Sequence, residues 1–89
     1  MSWTVYLLRC RDGSLYAGIT SDLPKRLTRH TAGTASAYTR SRRPVRLVYA
    51  EPQPTRSAAL RREAALRRLS RSEKLALVRR EGGRGGGRR

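Results

Sequence analysis

Trp3-Thr4-Val5-Tyr6-Leu7-Leu8-Arg9-Cys10, Arg11-Asp12-Gly13-Ser14 and Leu15-Tyr16-Ala17-Gly18-Ile19-Thr20 follow one another without a gap. The first run is rich in aromatic and β-branched residues, the composition of a strand. Asp-Gly is a strong signal for a tight turn between two strands. The third run therefore reads as the returning strand, and residues 3–20 as a β-hairpin.

Outward from the hairpin, Ser21-Asp22-Leu23-Pro24 has the capping oxygen and early proline of a helix start. A short helix is predicted over 24–32, with Gly33 as its stop. Residues 34–43 are small and polar and read as a loop carrying Tyr38 and the cluster Arg40, Arg42 and Arg43. In residues 45–50, Val45, Leu47 and Tyr49 alternate with Arg46 and Val48, the pattern of a third strand, which Glu51-Pro52-Gln53-Pro54 is expected to break. Ala, Leu and Arg predict a helix over 55–69. Ser70-Arg71-Ser72-Glu73 is a capping box that restarts a helix through about Arg80. Residues 82–89 contain only Gly and Arg and are expected to form a disordered tail on a domain of residues 1–81. The order β-β-α-β-α-α predicts an α+β domain: a small three-stranded antiparallel sheet flanked by helices.

Composition narrows the function. The chain has 89 residues, room for one small domain with a thin core. Its 21 Lys and Arg against 6 Asp and Glu give a formal net charge of +15. Such a surface attracts polyanions, nucleic acid first among them. Only Lys25 and Lys74 are lysines; the other cations are arginines, suited to bidentate phosphate contacts. No apolar run is long enough to span a membrane, and Arg9 and Arg11 interrupt the only N-terminal stretch that a secretory leader would occupy. One Cys and one His exclude a disulfide framework and a cysteine- or histidine-rich metal centre, and the single Cys10 suits a reducing, cytoplasmic compartment or the nucleoid within it.

Within this frame several side chains stand out. Tyr6 lies in the first strand and Tyr16 in the second, across the Asp12-Gly13 turn, with Gly18 two residues on. Arg26 and His30 are four apart and share a helix face. Glu63 is the only acid between Glu51 and Glu73. At about 100° per residue it lies on the side of Ala59, Leu60 and Leu66, toward the domain. Each has a plainer reading. A strand tyrosine packs a sheet, a lone histidine is structural or solvated, and Glu63 pairs with Arg67 one turn on. Tyr38 either stacks on a base or packs on the sheet. Arg40, Arg42 and Arg43 form either a phosphate-binding patch or a solvated loop.

Taken in order, these residues resemble the GIY-YIG nuclease superfamily, in particular its short bacterial members. Its first motif corresponds to Thr4-Val5-Tyr6 and its second to Tyr16-Ala17-Gly18, with the tyrosines ten residues apart. Arg26 and His30 match the family's helix motif and Glu63 its metal-binding acid. The resemblance covers about residues 3–78. Thr4-Val5 replaces the first Gly-Ile and Ala17 the second Ile, and the late Asn of some members has no counterpart. The resemblance implies a metal-dependent endonuclease with low sequence specificity that hydrolyses DNA phosphodiesters, in repair or recombination. Its one divalent ion, magnesium or manganese, would sit on Glu63. Tyr6, Tyr16, Arg26, His30 and Glu63 would be catalytic, with Tyr6 taking a proton from the attacking water. Tyr38, Arg40, Arg42 and Arg43 would grip nucleic acid, and a protein partner would supply targeting. RNA is an alternative substrate, and a DNA- or RNA-binding module without turnover is the alternative function.

Overall fold

The computed structural model describes residues 2–85. β1 (Trp3–Arg9) and β2 (Leu15–Thr20) form the expected hairpin. At its turn Gly13 adopts φ +86°, a conformation open chiefly to glycine. Asp12 Oδ1 accepts from the backbone N–H of Ser14 at 3.0 Å and from its hydroxyl at 2.6 Å, closing the turn from within. α1 (Leu23–Ala32) begins where Asp22 accepts from Lys25 N–H and ends at Gly33 with φ +83°.

The sheet is antiparallel throughout, in the order β2-β1-β3, so β1 is central. Its side chains alternate between two covered faces. Val5 and Leu7 join Ala17, Tyr49, Ala59, Leu66 and Leu77 in the hydrophobic core against α3 (Arg56–Arg68) and α4 (Arg71–Gly85). Tyr6 and Leu8 point the other way and are equally inaccessible to solvent; on that face α1 buries His30. With both faces covered, β1 reads as a nearly continuous apolar run instead of an alternating one.

Four features depart from the sequence expectation. The stretch 34–43 contains a one-turn helix, α2 (Ala37–Arg40), because Ser36 Oγ accepts from Thr39 N–H and closes it locally. The third strand, β3 (Arg46–Gln53), runs through Pro52 instead of ending before it. As an edge strand it needs donors on one side only, and proline is tolerated there. The register also shifts between Leu7 and Leu8, so Val48 and Tyr49 both pack toward the core while Leu47 is exposed. Finally, α4 continues past Arg80 to Gly85, into the stretch expected to be a tail. A glycine costs a helix only about 1 kcal/mol relative to alanine, which does not force a stop. Residues 86–89 of that expected tail lie outside the described residues.

The capping box forms as read: Ser70 N–H donates to Glu73 Oε1 at 2.7 Å and Glu73 N–H to Ser70 Oγ at 3.1 Å. Among the described residues no helix is long and apolar enough to cross a membrane. Replacing Ser70 by alanine removes one of the two reciprocal bonds. Urea denaturation of Ser70→Ala is expected to show a loss of about 1 kcal/mol, with an unchanged denaturant slope.

Candidate active site

The sheet face opposite the core carries the two tyrosine motifs. Antiparallel pairing sets Tyr6 opposite Gly18 and Leu8 opposite Tyr16, so Tyr6 and Tyr16 are diagonal neighbours on one face. A Cβ at position 18 would overlap the hydroxyl and Cζ of Tyr6. Glycine is thus required there for the Tyr6 ring to lie across β2.

The Tyr6 hydroxyl meets His30 Nε2 at 2.9 Å, with Tyr6 at 0% and His30 at 1% exposure. On its other side His30 Nδ1 lies 2.9 Å from Thr39 Oγ1, itself fully buried. Thr39 Oγ1 is 2.8 Å from Ser36 Oγ and 3.4 Å from Ser36 O. These bonds form one buried chain, from β1 through α1 to α2. Thr39 has acceptors at Ser36 for its own proton, so its oxygen is free to accept from His30 Nδ1–H. Nε2 then accepts from the Tyr6 phenol. This tautomer is assigned from the network as a whole.

Burial pushes the Tyr6 hydroxyl up to about 12, against the opposing pull of the Arg26 guanidinium. Burial, and then the charge of Arg26, holds His30 below its ordinary 6.5. At neutral pH the resting pair is therefore a phenol and a neutral imidazole. Arg26 acts on both groups, which places its charge at this cluster. Glu63 also acts on Tyr6 from α3.

Glu63 is mostly buried, at 17% exposure, and Oε2 accepts from Arg67 at 3.2 Å. Arg67 also donates to Ala17 O at 3.3 Å, pinning α3 to the outer edge of β2 at the second tyrosine motif. The i,i+4 pairing read from the sequence is thus present, and through Arg67 it ties the carboxylate to the β2 backbone at Ala17. Among the described residues there is no group of three or more His, Cys, Asp or Glu able to hold a metal ion. A single carboxylate fits magnesium or manganese. Such ions take one or two carboxylates and complete their shell with water and substrate phosphate.

The outer rim is a stack. Tyr16 contacts the His30 ring edge-on, with centroids 5.6 Å apart, and stacks on Tyr38 at 5.6 Å. The Arg42 guanidinium lies 3.8 Å above the Tyr38 ring. Arg42 also donates to Asp12 and to Tyr38 O, both at 3.0 Å, tying the hairpin turn to α2. Arg43 donates to Arg40 O and Thr31 O, at 3.1 and 3.3 Å. Arg42 and Arg43 thus brace the fold, although Arg43, like Arg40, is exposed. The structure brings Tyr6, Tyr16 and His30 into contact, sets Tyr38 at their edge and places the charge of Arg26 on Tyr6 and His30; Glu63, on α3 of the core side, acts on Tyr6 only through its charge. Ser36 and Thr39 were not anticipated from the sequence. The Ser-x-x-Thr cap was their only local signal, and nothing in it points to a histidine in the preceding helix.

A hairpin whose diagonal tyrosines meet an arginine and a histidine from the next helix, with a lone glutamate from a later one, is the arrangement of a nuclease family. The chain belongs to the GIY-YIG catalytic domain family, whose profile matches residues 2–76. Its relatives include a UPF0213 protein of Xanthomonas axonopodis pv. citri, 51% identical over 74 residues, which cover 83% of this chain and 72% of the relative. The solution NMR structure of the UPF0213 protein from Bacillus halodurans is 42% identical, covers 93% of this chain and 88% of its own, and superposes with a TM-score of 0.61. That of a protein from E. faecalis is 40% identical over 86% of this chain and 83% of its own, with a TM-score of 0.59.

Two measurements probe the buried pair. Gly18→Ala should destabilise the domain by about 1–3 kcal/mol in chemical denaturation, because Tyr6 must leave its place. The His30 imidazole, followed by NMR, should titrate below 6.5. Its unfolded form takes up a proton first, so this group's share of stability is complete above 6.5 and is lost as pH falls through the lower, folded pKa. A titration at or above 6.5 would contradict the buried geometry.

Proposed function

We propose that the chain is a metal-dependent endonuclease that hydrolyses phosphodiester bonds in DNA with low intrinsic sequence specificity. The observation that carries this reading is the meeting of Tyr6, Tyr16, Arg26 and His30 from β1, β2 and α1 on the sheet face opposite the core, with the charge of Glu63 reaching Tyr6 from α3. The +15 charge supplies sequence-independent attraction to phosphates.

The resting protonation states order the chemistry. A phenol pushed up to about 12 is not a base by itself. His30 Nε2 accepts from it, so once substrate binding brings the attacking water to the buried hydroxyl, Tyr6 takes a proton from that water as its own proton passes to His30 Nε2. The imidazolium so formed is held through Nδ1–H by Thr39. Arg26 grips a non-bridging phosphate oxygen as negative charge develops. Tyr16 packs against the imidazole and orients it. Glu63 would hold the divalent ion, magnesium or manganese, steadied by Arg67. When bound, that ion polarises the phosphate and stabilises the leaving oxygen.

The Glu63–Arg67 ion pair is also what a purely structural glutamate would make. It favours a second reading, a nucleic-acid-binding module without turnover. The two separate cleanly. The purified protein, given linear, nicked, branched and single-stranded DNA with magnesium or manganese, is expected to cleave at least one form. Glu63→Ala and Arg26→Ala should lower cleavage at least a hundredfold, about the scale of losing one group aimed at transition-state charge. Binding of Glu63→Ala in chelator should match the wild type. Cleavage should also fall as pH drops through the pKa of His30, below 6.5. Equal behaviour of wild type and Glu63→Ala, with no cleavage by either, would establish the binding module instead.

A further inference from the structure

Two basic clefts border the candidate site, one at each end of β2. The first is lined by Thr20, Ser21 and Asp22 at the end of the strand and by Lys25, Arg26 and Arg29 of α1. Its Arg26 is the guanidinium that acts on Tyr6 and His30. The second is lined by Ser14 and Leu15 at the start of the strand, by Tyr38, and by Arg71 and Lys74 of α4. Its Tyr38 stacks on Tyr16, which contacts His30. Tyr16 and Gly18 lie between the two clefts.

Most of the charge in these clefts is uncommitted. Arg71 donates to Gly13 O and so braces the hairpin turn. Asp22, the one acid in either lining, caps α1 by accepting from Lys25 N–H. Among the described residues, Lys25, Arg29 and Lys74 make no ion pair. The only two lysines of the chain stand one in each cleft. A lysine is a compact charge on a flexible stem, which contacts a phosphate without fixing its orientation. Arg42 and Arg43, by contrast, are spent on internal bonds.

The length is informative. Leu15 to Thr20 is five steps of about 3.3 Å, roughly 17 Å. Phosphates of one DNA strand recur about every 3.4 Å along a duplex axis, so the clefts are roughly five base pairs apart. We propose that one strand of duplex DNA crosses β2 from the α1 cleft to the α4 cleft, with Lys25 and Lys74 holding phosphates on either side of the bond to be cut. This rests on the nuclease reading for what happens between the clefts, but the track itself is a binding surface.

The test is the salt dependence of binding, measured by anisotropy of a labelled duplex of about 20 base pairs in chelator. Removing a single phosphate contact lowers the slope of log affinity against log salt by about 0.9. Lys25→Ala and Lys74→Ala should each lower it by about that amount, and the double variant by about twice as much. Arg61→Ala, on the outer side of α3 where Arg61 bonds only Ser57, should leave it unchanged. Slopes unchanged in either lysine variant, or an equal drop in Arg61→Ala, would overturn the track. Cleavage by the wild type with unchanged slopes would remove the track and leave the nuclease reading. Lowered slopes without cleavage of any DNA form would do the reverse.

Discussion

The rest of the site depends on one buried hydrogen bond, from the Tyr6 hydroxyl to His30 Nε2. Two polar groups with no access to water are costly unless each satisfies the other. That requirement fixes the geometry around them. Gly18 must lack a side chain so that the Tyr6 ring can cross β2. α1 must be capped at Asp22 and stopped at Gly33 so that His30 comes to rest above the sheet. The second imidazole nitrogen must also be satisfied, and Thr39 does this only because Ser36 turns the chain into α2. A one-turn helix in a connecting segment thus becomes part of the polar interior.

The same burial sets the electrostatics. It holds Tyr6 as a phenol and His30 as a neutral imidazole, a pair with one proton to pass along. Arg26 works against burial at Tyr6 and with it at His30. Its positive charge narrows the gap between phenol and phenolate while keeping the imidazole unprotonated and able to accept. A lysine could supply the charge but not a planar fork of the kind suited to a phosphate oxygen.

Much of this was legible in the sequence. The hairpin was legible because Asp12-Gly13 leaves few alternatives between two strand-like runs. α1 was legible because both ends are chemically marked. The mostly buried position of Glu63 beside Ala59 and Leu66 followed from helical periodicity, but Leu60, expected on the same side, is exposed. What could not be read was long-range. The extension of β3 through Pro52 depends on its being an edge strand, a property of sheet order and not of local composition. The one-residue shift between Leu7 and Leu8 undid the expected alternation at Leu47 and Tyr49. Thr39 faces a histidine nine residues earlier in the chain, a relation that exists only once α1 and α2 have packed.

The arginines show most clearly why composition alone underdetermines function. The sequence offered Arg40, Arg42 and Arg43 as one cluster of equivalent cations. In the fold they are not equivalent. Arg42 is held by Asp12, by Tyr38 O and by the Tyr38 ring, and Arg43 by two carbonyl oxygens. A guanidinium with five donors suits such bracing between segments that share no regular structure. Part of the excess of arginine is therefore architectural in a domain whose core is thin. The charge free to meet a polyanion is smaller than +15 and is unevenly placed. Lys25 and Arg29 in one cleft and Lys74 in the other, which make no ion pair among the described residues, flank the row of Tyr16 and Gly18.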